Sequence, residues 1–278
     1  MKILSCGAGM QSTALALMSC ENKIHGNIHK NVPIYDAVIF CDLGFEPPWV
    51  KNQVNFIKEA CNNVGIPFYI IASNLYADYV NNFGKSHVSA IPFWSVDENG
   101  KKAKMMRQCT VDYKITLIEK FLRYNLLEYK KYQRLKKEDF QAHEMHIGFS
   151  YEERRRIKPK ELSKLFIKKY PLVDMNWERS DSYKYILEVW GLDTKASACC
   201  FCPFHKNYFF EFLRVNYKSE YERLVKFDKL IGEMQPHTAI KSKIFISRSR
   251  KRIDDLLPEE CNDAEFFDYN GAMVWNGF

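Results

Sequence analysis

Three short apolar runs, Lys2 to Cys6, Ala37 to Cys41 and Pro67 to Ala72, are separated by two stretches with helical spacing. The first stretch runs from Gln11 to Cys20. The second runs from Trp49 to Val64, with apolar side chains at Val50, Val54, Ile57 and Cys61. Runs of strand length alternating with helices predict β-α-β units, and hence a parallel sheet flanked by helices. Further along, Glu144 to Phe149 predicts a fourth strand and Tyr170 to Val173 a fifth. Asp112 to Lys137 and Ser182 to Val189 read as helices. Residues 84–108 carry Gly84, Pro92 and Gly100 with few periodic apolar residues, which predicts a long basic loop of the kind that serves as a lid. After Gly191 the chain turns helix-rich and aromatic. The expected division is an α/β domain over residues 1–190 and a helix-rich, cysteine-containing region over 191–278.

The first strand runs straight into Gly7-Ala8-Gly9-Met10-Gln11-Ser12-Thr13. A glycine-rich turn leading into a helix N-terminus is an anion site: backbone N–H groups point outward and the helix dipole favours negative charge. Gly7 and Gly9 let phosphate approach the backbone, and Ser12 and Thr13 add hydroxyls in the first turn. No Gly-Lys-Ser/Thr follows, so this is not a Walker loop, nor is it Gly-x-Gly-x-x-Gly. Open parallel sheets bind ligands beyond the carboxyl ends of their strands. The first loop and Asp42, at the end of the second strand, are both expected there. Asp42 is the carboxylate expected to hold Mg²⁺ or orient a nucleotide; capping a turn is its alternative role.

The chain carries a net charge of +7, with dense basic stretches at Lys101 to Arg107, Lys130 to Lys137, Arg154 to Lys160 and Lys241 to Arg252. Such stretches suit an anionic partner, whether nucleotide, RNA or DNA; solvated helix faces are the alternative for any one of them. Arg107, Lys114 and Arg156 are candidate phosphate clamps, because guanidinium and ammonium groups bind phosphate directly. Glu152 and Glu153 are expected either to bind metal or to pair with the arginines that follow. No run of apolar residues is long enough to span a membrane. The N-terminus lacks a signal-peptide profile, which predicts a cytoplasmic protein with no membrane partner.

Nine cysteines in a reducing compartment are not expected to form a disulfide framework. Cys20, Cys41 and Cys61 fit buried hydrophobes. Cys199-Cys200-Phe201-Cys202 does not, because cysteines three apart reach one metal or cluster. His205 adds a nearby nitrogen ligand. Cys109 follows a loop expected near the same sheet edge, and Cys261 lies in the tail. Three or four cysteines with little histidine favour iron–sulfur over zinc.

Taken in order, five features resemble the phosphoadenosine-phosphosulfate-reductase-like branch of the PP-loop ATP pyrophosphatase superfamily. They are the Gly7 to Thr13 loop, Asp42 to Pro47, Arg107-Gln108-Cys109-Thr110 with Lys114, Gly148 to Glu153 with Arg156, and Ser197 to His205. The resemblance covers about residues 3 to 215. Gly7 stands where that loop has serine, and Gln11 where it has aspartate. The resemblance implies a Rossmann-like sheet of the HUP type. It implies ATP and Mg²⁺ as cofactors, with nucleotide-binding residues Ser5, Gly7, Ala8, Gly9, Gln11, Ser12, Thr13 and Asp42. It implies catalytic roles for Asp42, Arg107, Lys114, Glu153 and Arg156. It also implies a [4Fe–4S] cluster, with zinc as the alternative, held by Cys109, Cys199, Cys202 and Cys261; Cys200 and His205 stay open as the fourth ligand.

Relatives of this kind split ATP between the α- and β-phosphates, adenylate a substrate and release pyrophosphate. The sulfonucleotide reductases among them carry a C-terminal Glu-Cys-Gly-x-His motif. Here Glu260-Cys261 is followed by Asn262-Asp263, which argues against sulfate reduction. The pattern is similar to the sulfur-transfer relatives, including the DNA phosphorothioation enzymes. The expected function is therefore ATP-dependent adenylation leading to sulfur transfer onto a nucleic acid or nucleotide. Sulfonucleotide reduction and a non-catalytic nucleotide-binding regulator are the alternatives. A sulfur-donor protein as partner and homo-oligomerisation are both compatible with this reading.

Overall fold

A computed structural model describes residues 1–157 and 163–261, together with the backbone of 267–268 and 272–273. In chain order the main elements begin with β1 (Lys2–Cys6), α1 (Met10–His25), β2 (Ala37–Asp42), α2 (Pro48–Asn63), β3 (Phe68–Ala72) and α3 (Leu75–Asn82). A short hairpin follows, β4 (Trp94–Val96) and β5 (Lys102–Lys104), then α4 (Thr116–Phe121), β6 (His143–Ile147) and β7 (Phe166–Lys169). The remainder is α5 (Pro171–Asp174), α6 (Arg179–Trp190), α7 (Asn207–Asn216), α8 (Lys218–Met234) and β8 (Lys243–Phe245), with a terminal pair β9 (Phe267–Asp268) and β10 (Ala272–Met273).

The fold is α/β, with a five-stranded parallel sheet in the order β3-β2-β1-β6-β7. β1 lies at the centre of the sheet, where Ile3 and Leu4 are fully buried, and β2 beside it is buried from Ala37 to Cys41. Its register sets Leu4 beside Val38 on one side and His146 on the other. β2 pairs on one edge of β1 and β6 on the other, so the strand order reverses there, as in a Rossmann-like sheet. α1 is buried almost all round from Met10 to Cys20, with small residues such as Ser12, Thr13 and Ser19 among the buried ones, as expected of a helix covered on several sides. It packs against α2, α5 and α6.

The chain forms two compact units. The first comprises Met1–Cys41, Pro48–Ile71 and Thr116–Ser197, and the second Asp42–Pro47, Ala72–Ile115 and Ala198–Phe278. The second is thus assembled from the tail and two segments that leave the carboxyl ends of β2 and β3. Its own sheet is antiparallel, in the order β5-β4-β8, and is backed by α8. Among the described residues no helix is long and apolar enough to cross a membrane.

Three local expectations are corrected. The fifth strand is Phe166–Lys169 and not Tyr170 to Val173, because Pro171 opens the short helix α5 instead. Residues 84–108 are not one loop. They contain the β4–β5 hairpin, which pairs with β8 from far along the chain. The helix expected from Asp112 to Lys137 spans only Val111 to Leu126, with wide turns at both ends. Lys158 and Lys160 of the third basic stretch, and Asn262-Asp263, lie outside the described residues.

Candidate functional site

In the first unit the loop after β1 and the loop after β6 meet at the point where the strand order reverses. Gly9 is the N-cap of α1, and no side chain caps that end of the helix. Ala8 takes φ +54, a left-handed backbone that costs a non-glycine residue energy and marks a constrained turn. Ser12 folds back over the turn: its hydroxyl accepts from the Gly7 amide at 3.1 Å and donates to the Gly9 carbonyl at 3.4 Å. The Thr13 hydroxyl is buried and has no hydrogen-bond partner among the described residues. Ser5 lies within β1 between Ile39 and Ile147.

Two close approaches explain the small residues. A Cβ on Gly9 would stand 2.8 Å from Ser197 Oγ, and one on Gly148 would stand 2.8 Å from the Ser12 amide nitrogen. Gln11 reaches across from α1, donating from Nε2 to Glu153 Oε2 at 3.1 Å and to Ser150 Oγ at 3.5 Å. Glu153 is the hub of this corner. It closes a capping box with Ser150, and it pairs with Arg156 and, at 4.0 Å, with Arg179. Arg156 also lies over the Phe149 ring, 4.3 Å from its centre. Pairing with arginine, one of the two roles read for Glu152 and Glu153, is thus the one Glu153 takes here. Glu152 instead accepts from the Arg179 amide at 3.1 Å.

Sequence reasoning missed Gln53, and it read Ser197 only as the start of the cysteine motif. Gln53 is buried in α2; its Nε2 donates to the carbonyls of Ala8 and Lys195, and its Oε1 accepts from the Lys195 amide at 2.7 Å. This single amide therefore ties segment 195–197 to the glycine-rich loop. A glutamine on the inward face of α2, flanked by the apolar Val50, Val54 and Ile57, was the available signal.

The second unit holds the cysteine motif. Asp42 Oδ1 accepts from the Gly44 amide at 2.8 Å, which is the turn-capping role. Asp42 O also receives the Ser73 amide and hydroxyl, at 2.8 and 2.7 Å. Glu46 follows one turn later. Its Oε1 accepts a long bond from the Leu43 amide at 3.4 Å, while Oε2 is shut off from solvent without a partner among the described residues. Burial pushes the Glu46 carboxyl up to about 7, against the pull of Lys114 and the Leu43 amide.

Cys199 and Cys202 hydrogen-bond through their side chains, and both interact electrostatically with Cys109. The Cys199 hydrogen bond, with help from the Phe204 amide, Arg107 and Lys114, holds the Cys202 thiol below its ordinary range. The pairing pushes Cys199 the other way. Arg107 and Lys114 thus face Cys109 and Cys202 as cations. Cys200 is fully buried, its amide donates to the Phe45 carbonyl at 3.0 Å, and burial pushes its thiol up. His205 Nε2 donates to the Cys199 carbonyl at 2.9 Å, and burial lowers the ring to about 4, so it stays neutral. Cys261 is buried and interacts with Arg214 and Tyr221. Among the described residues no group of three or more His, Cys, Asp or Glu is arranged to hold a metal ion.

No protein-family model and no curated protein sequence matches the chain.

Proposed function

We propose that this protein is an adenine-nucleotide enzyme of the PP-loop type, which activates an oxygen by adenylation as a prelude to sulfur transfer onto a nucleic acid or nucleotide. The observation that carries the reading is the cradle in the first unit. An uncapped helix N-terminus, a strained Gly-Ala-Gly turn and a second glycine loop meet at the reversal of strand order, where parallel sheets bind nucleotides. The Gly7 to Thr13 amides would receive pyrophosphate oxygens. Gln11 and the Glu153–Arg156 pair would hold the far wall of that cradle in place.

In the proposed reaction the substrate oxygen bonds to the α-phosphorus as the α–β anhydride breaks, and pyrophosphate leaves. Sulfide then takes the place of that oxygen, and AMP departs with it. Donors fixed in advance where negative charge develops are the main source of acceleration in such displacements. Asp42, Arg107 and Lys114 belong to the second unit. Their roles as Mg²⁺ and phosphate ligands rest on side-chain chemistry and on the resemblance.

The [4Fe–4S] cluster rests on the resemblance and on thiolate donor chemistry: Cys109, Cys199 and Cys202 interact with one another beside Arg107 and Lys114, but among the described residues they do not form a group arranged to hold a metal. A bound [4Fe–4S] cluster would supply a site that holds sulfide. Cys261, with Arg214 and Tyr221 for company, is the weakest member of the expected ligand set.

The deciding experiment incubates the full chain with ATP labelled at the α-phosphate and with candidate acceptors. AMP and pyrophosphate are the expected products. ADP and phosphate, or no nucleotide binding by calorimetry, would overturn the reading. Anaerobic preparation with iron and zinc analysis tests the cluster separately.

A further inference from the structure

Four cations crowd one aromatic face of the small antiparallel sheet in the second unit. Trp94 on β4 stands opposite Lys104 on β5 and Phe245 on β8. The Lys104 ammonium lies 5.6 Å from the centre of the Trp94 ring and 4.7 Å from that of Phe204. Arg248 and Arg250 lie 5.7 and 5.4 Å from Trp94, and Arg107 lies 5.4 Å from Phe204. Cation–π contacts hold these groups in place, but they do not cancel their charge. Lys104 is held below its ordinary range by burial first, and then by the nearby charges of Arg107 and Arg248.

Carboxylates serve other residues of the same segment. Lys251 pairs with Glu260 at 2.7 Å and Arg252 with Asp228 at 3.0 Å. Arg250 instead donates to the backbone carbonyls of Ser95 and Arg248, and Arg107 to the Thr110 hydroxyl. Among the described residues no carboxylate pairs with Arg107, Arg248 or Arg250. Lys104, Arg107 and Arg248 are exposed, whereas Trp94 and Phe204 are half-buried. The Trp94 indole is anchored by a 2.7 Å bond from Nε1 to the Pro203 carbonyl.

We infer that this face, built from Trp94, Phe204, Lys104, Arg107, Arg248 and Arg250, binds single-stranded nucleic acid. Phosphates would neutralise the cations, and unstacked bases would lie on the aromatic rings and on the guanidinium planes beside them. A duplex keeps its bases stacked inside and has no use for fixed rings. An acidic peptide or an anionic bilayer would use the charge alone. Arg107 adds direction: it borders this face through Phe204 and also acts on Cys109 and Cys202, so a bound strand would run beside the cysteine motif. The inference deepens the proposed function by giving its polyanionic substrate a surface, and to that extent rests on it.

The test measures binding of labelled twelve-nucleotide single-stranded RNA and DNA to the full chain by fluorescence anisotropy, without ATP, across a salt series. Log affinity should fall linearly with log salt. The exposed double variant Lys104→Glu/Arg248→Glu, checked for folding by circular dichroism, should bind at least about 10-fold more weakly, with a salt slope shallower by about 1 to 2. Arg248→Gln should show a smaller loss in the same direction. A strand with abasic sites should bind about 5-fold or more weakly than the intact strand. The tighter of the RNA and DNA arms names the substrate.

Unchanged affinity in the folded double variant would overturn the assignment. So would equal binding of intact and abasic strands, a preference for duplex, or variant-sensitive binding to phosphatidylglycerol vesicles with no strand binding. Calorimetry with ATP alone, run on the same double variant, separates the two ideas. Retained ATP binding with lost strand binding supports this surface. Intact strand binding without any ATP binding would defeat only the adenylation reading.

Discussion

Gly148 and Ser12 stand so close that a single added carbon has no space: a Cβ on Gly148 would lie 2.8 Å from the Ser12 amide nitrogen and 3.1 Å from its Cα. The contact joins the loop after β6 to the first turn of α1, across the reversal of strand order. The opposing atoms are helix backbone, which cannot rotate away. Gly148→Ala is therefore expected to destabilise the protein by about 1–3 kcal/mol, as overpacking of a tight contact does. It should also weaken ATP binding, because the loops must part. Urea unfolding together with calorimetry checks this. A variant with wild-type stability would mean that the two loops are free to separate.

Gly9 meets a different obstacle. Its φ is −93, so a side chain brings no backbone strain, and the obstruction is the Ser197 hydroxyl at 2.8 Å. A serine side chain can turn or be removed. Gly9→Val is expected to abolish ATP binding in a folded protein, whereas Gly9→Ala should be mild. Ser197→Gly should restore much of what Gly9→Ala loses, but little of what Gly9→Val loses. Calorimetric ATP titration of the four variants measures the coupling. Equal losses for alanine and valine, untouched by Ser197→Gly, would show that the loop is not a phosphate cradle limited by space.

The central sheet was legible because its signals are local. Apolar runs of strand length, a Gly-Ala-Gly turn and helical spacing between the first three runs pointed to a parallel sheet; α2 lies within one residue of the expected bounds, α1 runs five residues further than expected, and α3 was not read. What was not legible depends on partners far along the chain. β4 is a three-residue strand whose existence rests on β5 and on β8, about 150 residues later, and neither pairing leaves a periodic trace in residues 84–108. The shift of the fifth strand came from Pro171, whose fixed φ suits the first turn of a helix better than a strand. In the site, the residue types at Gly7, Gly9 and Gly148 were readable. Gln53 and the approach of Ser197 to Gly9 were not, since their importance lies in packing against the loop.

Glu46 makes stability depend on pH. Its folded-state value is raised by burial to about 7, from an ordinary 4.5. Below 4.5 both folded and unfolded chains hold the proton, and Glu46 contributes nothing. Above 7 both have lost it, and the folded state bears the full cost of a buried charge. Stability should therefore fall as pH rises between these values, by ~3 kcal/mol at most. Glu46→Gln should remove that fall, leaving the variant more stable than wild type at pH 8 and equal to it at pH 4. Urea midpoints at the two pH values decide. A Glu46→Gln protein less stable at pH 8 would mean that the ionised carboxylate is held by Lys114 more strongly than burial opposes it.

Among the cysteines, surroundings predict unequal roles in metal binding. Cys109, Cys199 and Cys202 act on one another, whereas Cys261 interacts with Arg214 and Tyr221 and Cys200 is sealed in the core. In anaerobically prepared protein, Cys109→Ser, Cys199→Ser and Cys202→Ser should each lose most of the iron and the broad visible absorbance. Cys261→Ser should retain both, and Cys200→Ala should retain both while losing some stability from its buried position. Iron analysis and the absorption spectrum give the answer directly. Loss of iron in Cys261→Ser, with circular dichroism unchanged, would return Cys261 to the ligand set. Stoichiometric zinc without iron in the wild-type protein would replace the cluster altogether.

Glu153 supports the cradle from outside the loop. One carboxylate receives Gln11, closes the Ser150 capping box and pairs with Arg156 and Arg179. Removing its charge leaves two arginines crowded without their shared anion, and loosens Gln11 at the mouth of α1. Glu153→Gln keeps the shape and the Ser150 bonds but not the charge; Glu153→Ala loses both. We expect Glu153→Gln to weaken ATP binding about 10-fold with a stability loss within ~1 kcal/mol, and Glu153→Ala to add the loss of the cap, ~0.5–2 kcal/mol more. If Glu153 were instead a group acting directly on the reacting atoms, Glu153→Gln would leave ATP affinity intact and abolish pyrophosphate release. Calorimetry and the pyrophosphate assay, run on both variants, distinguish a residue that positions the loop from one that takes part in the chemistry.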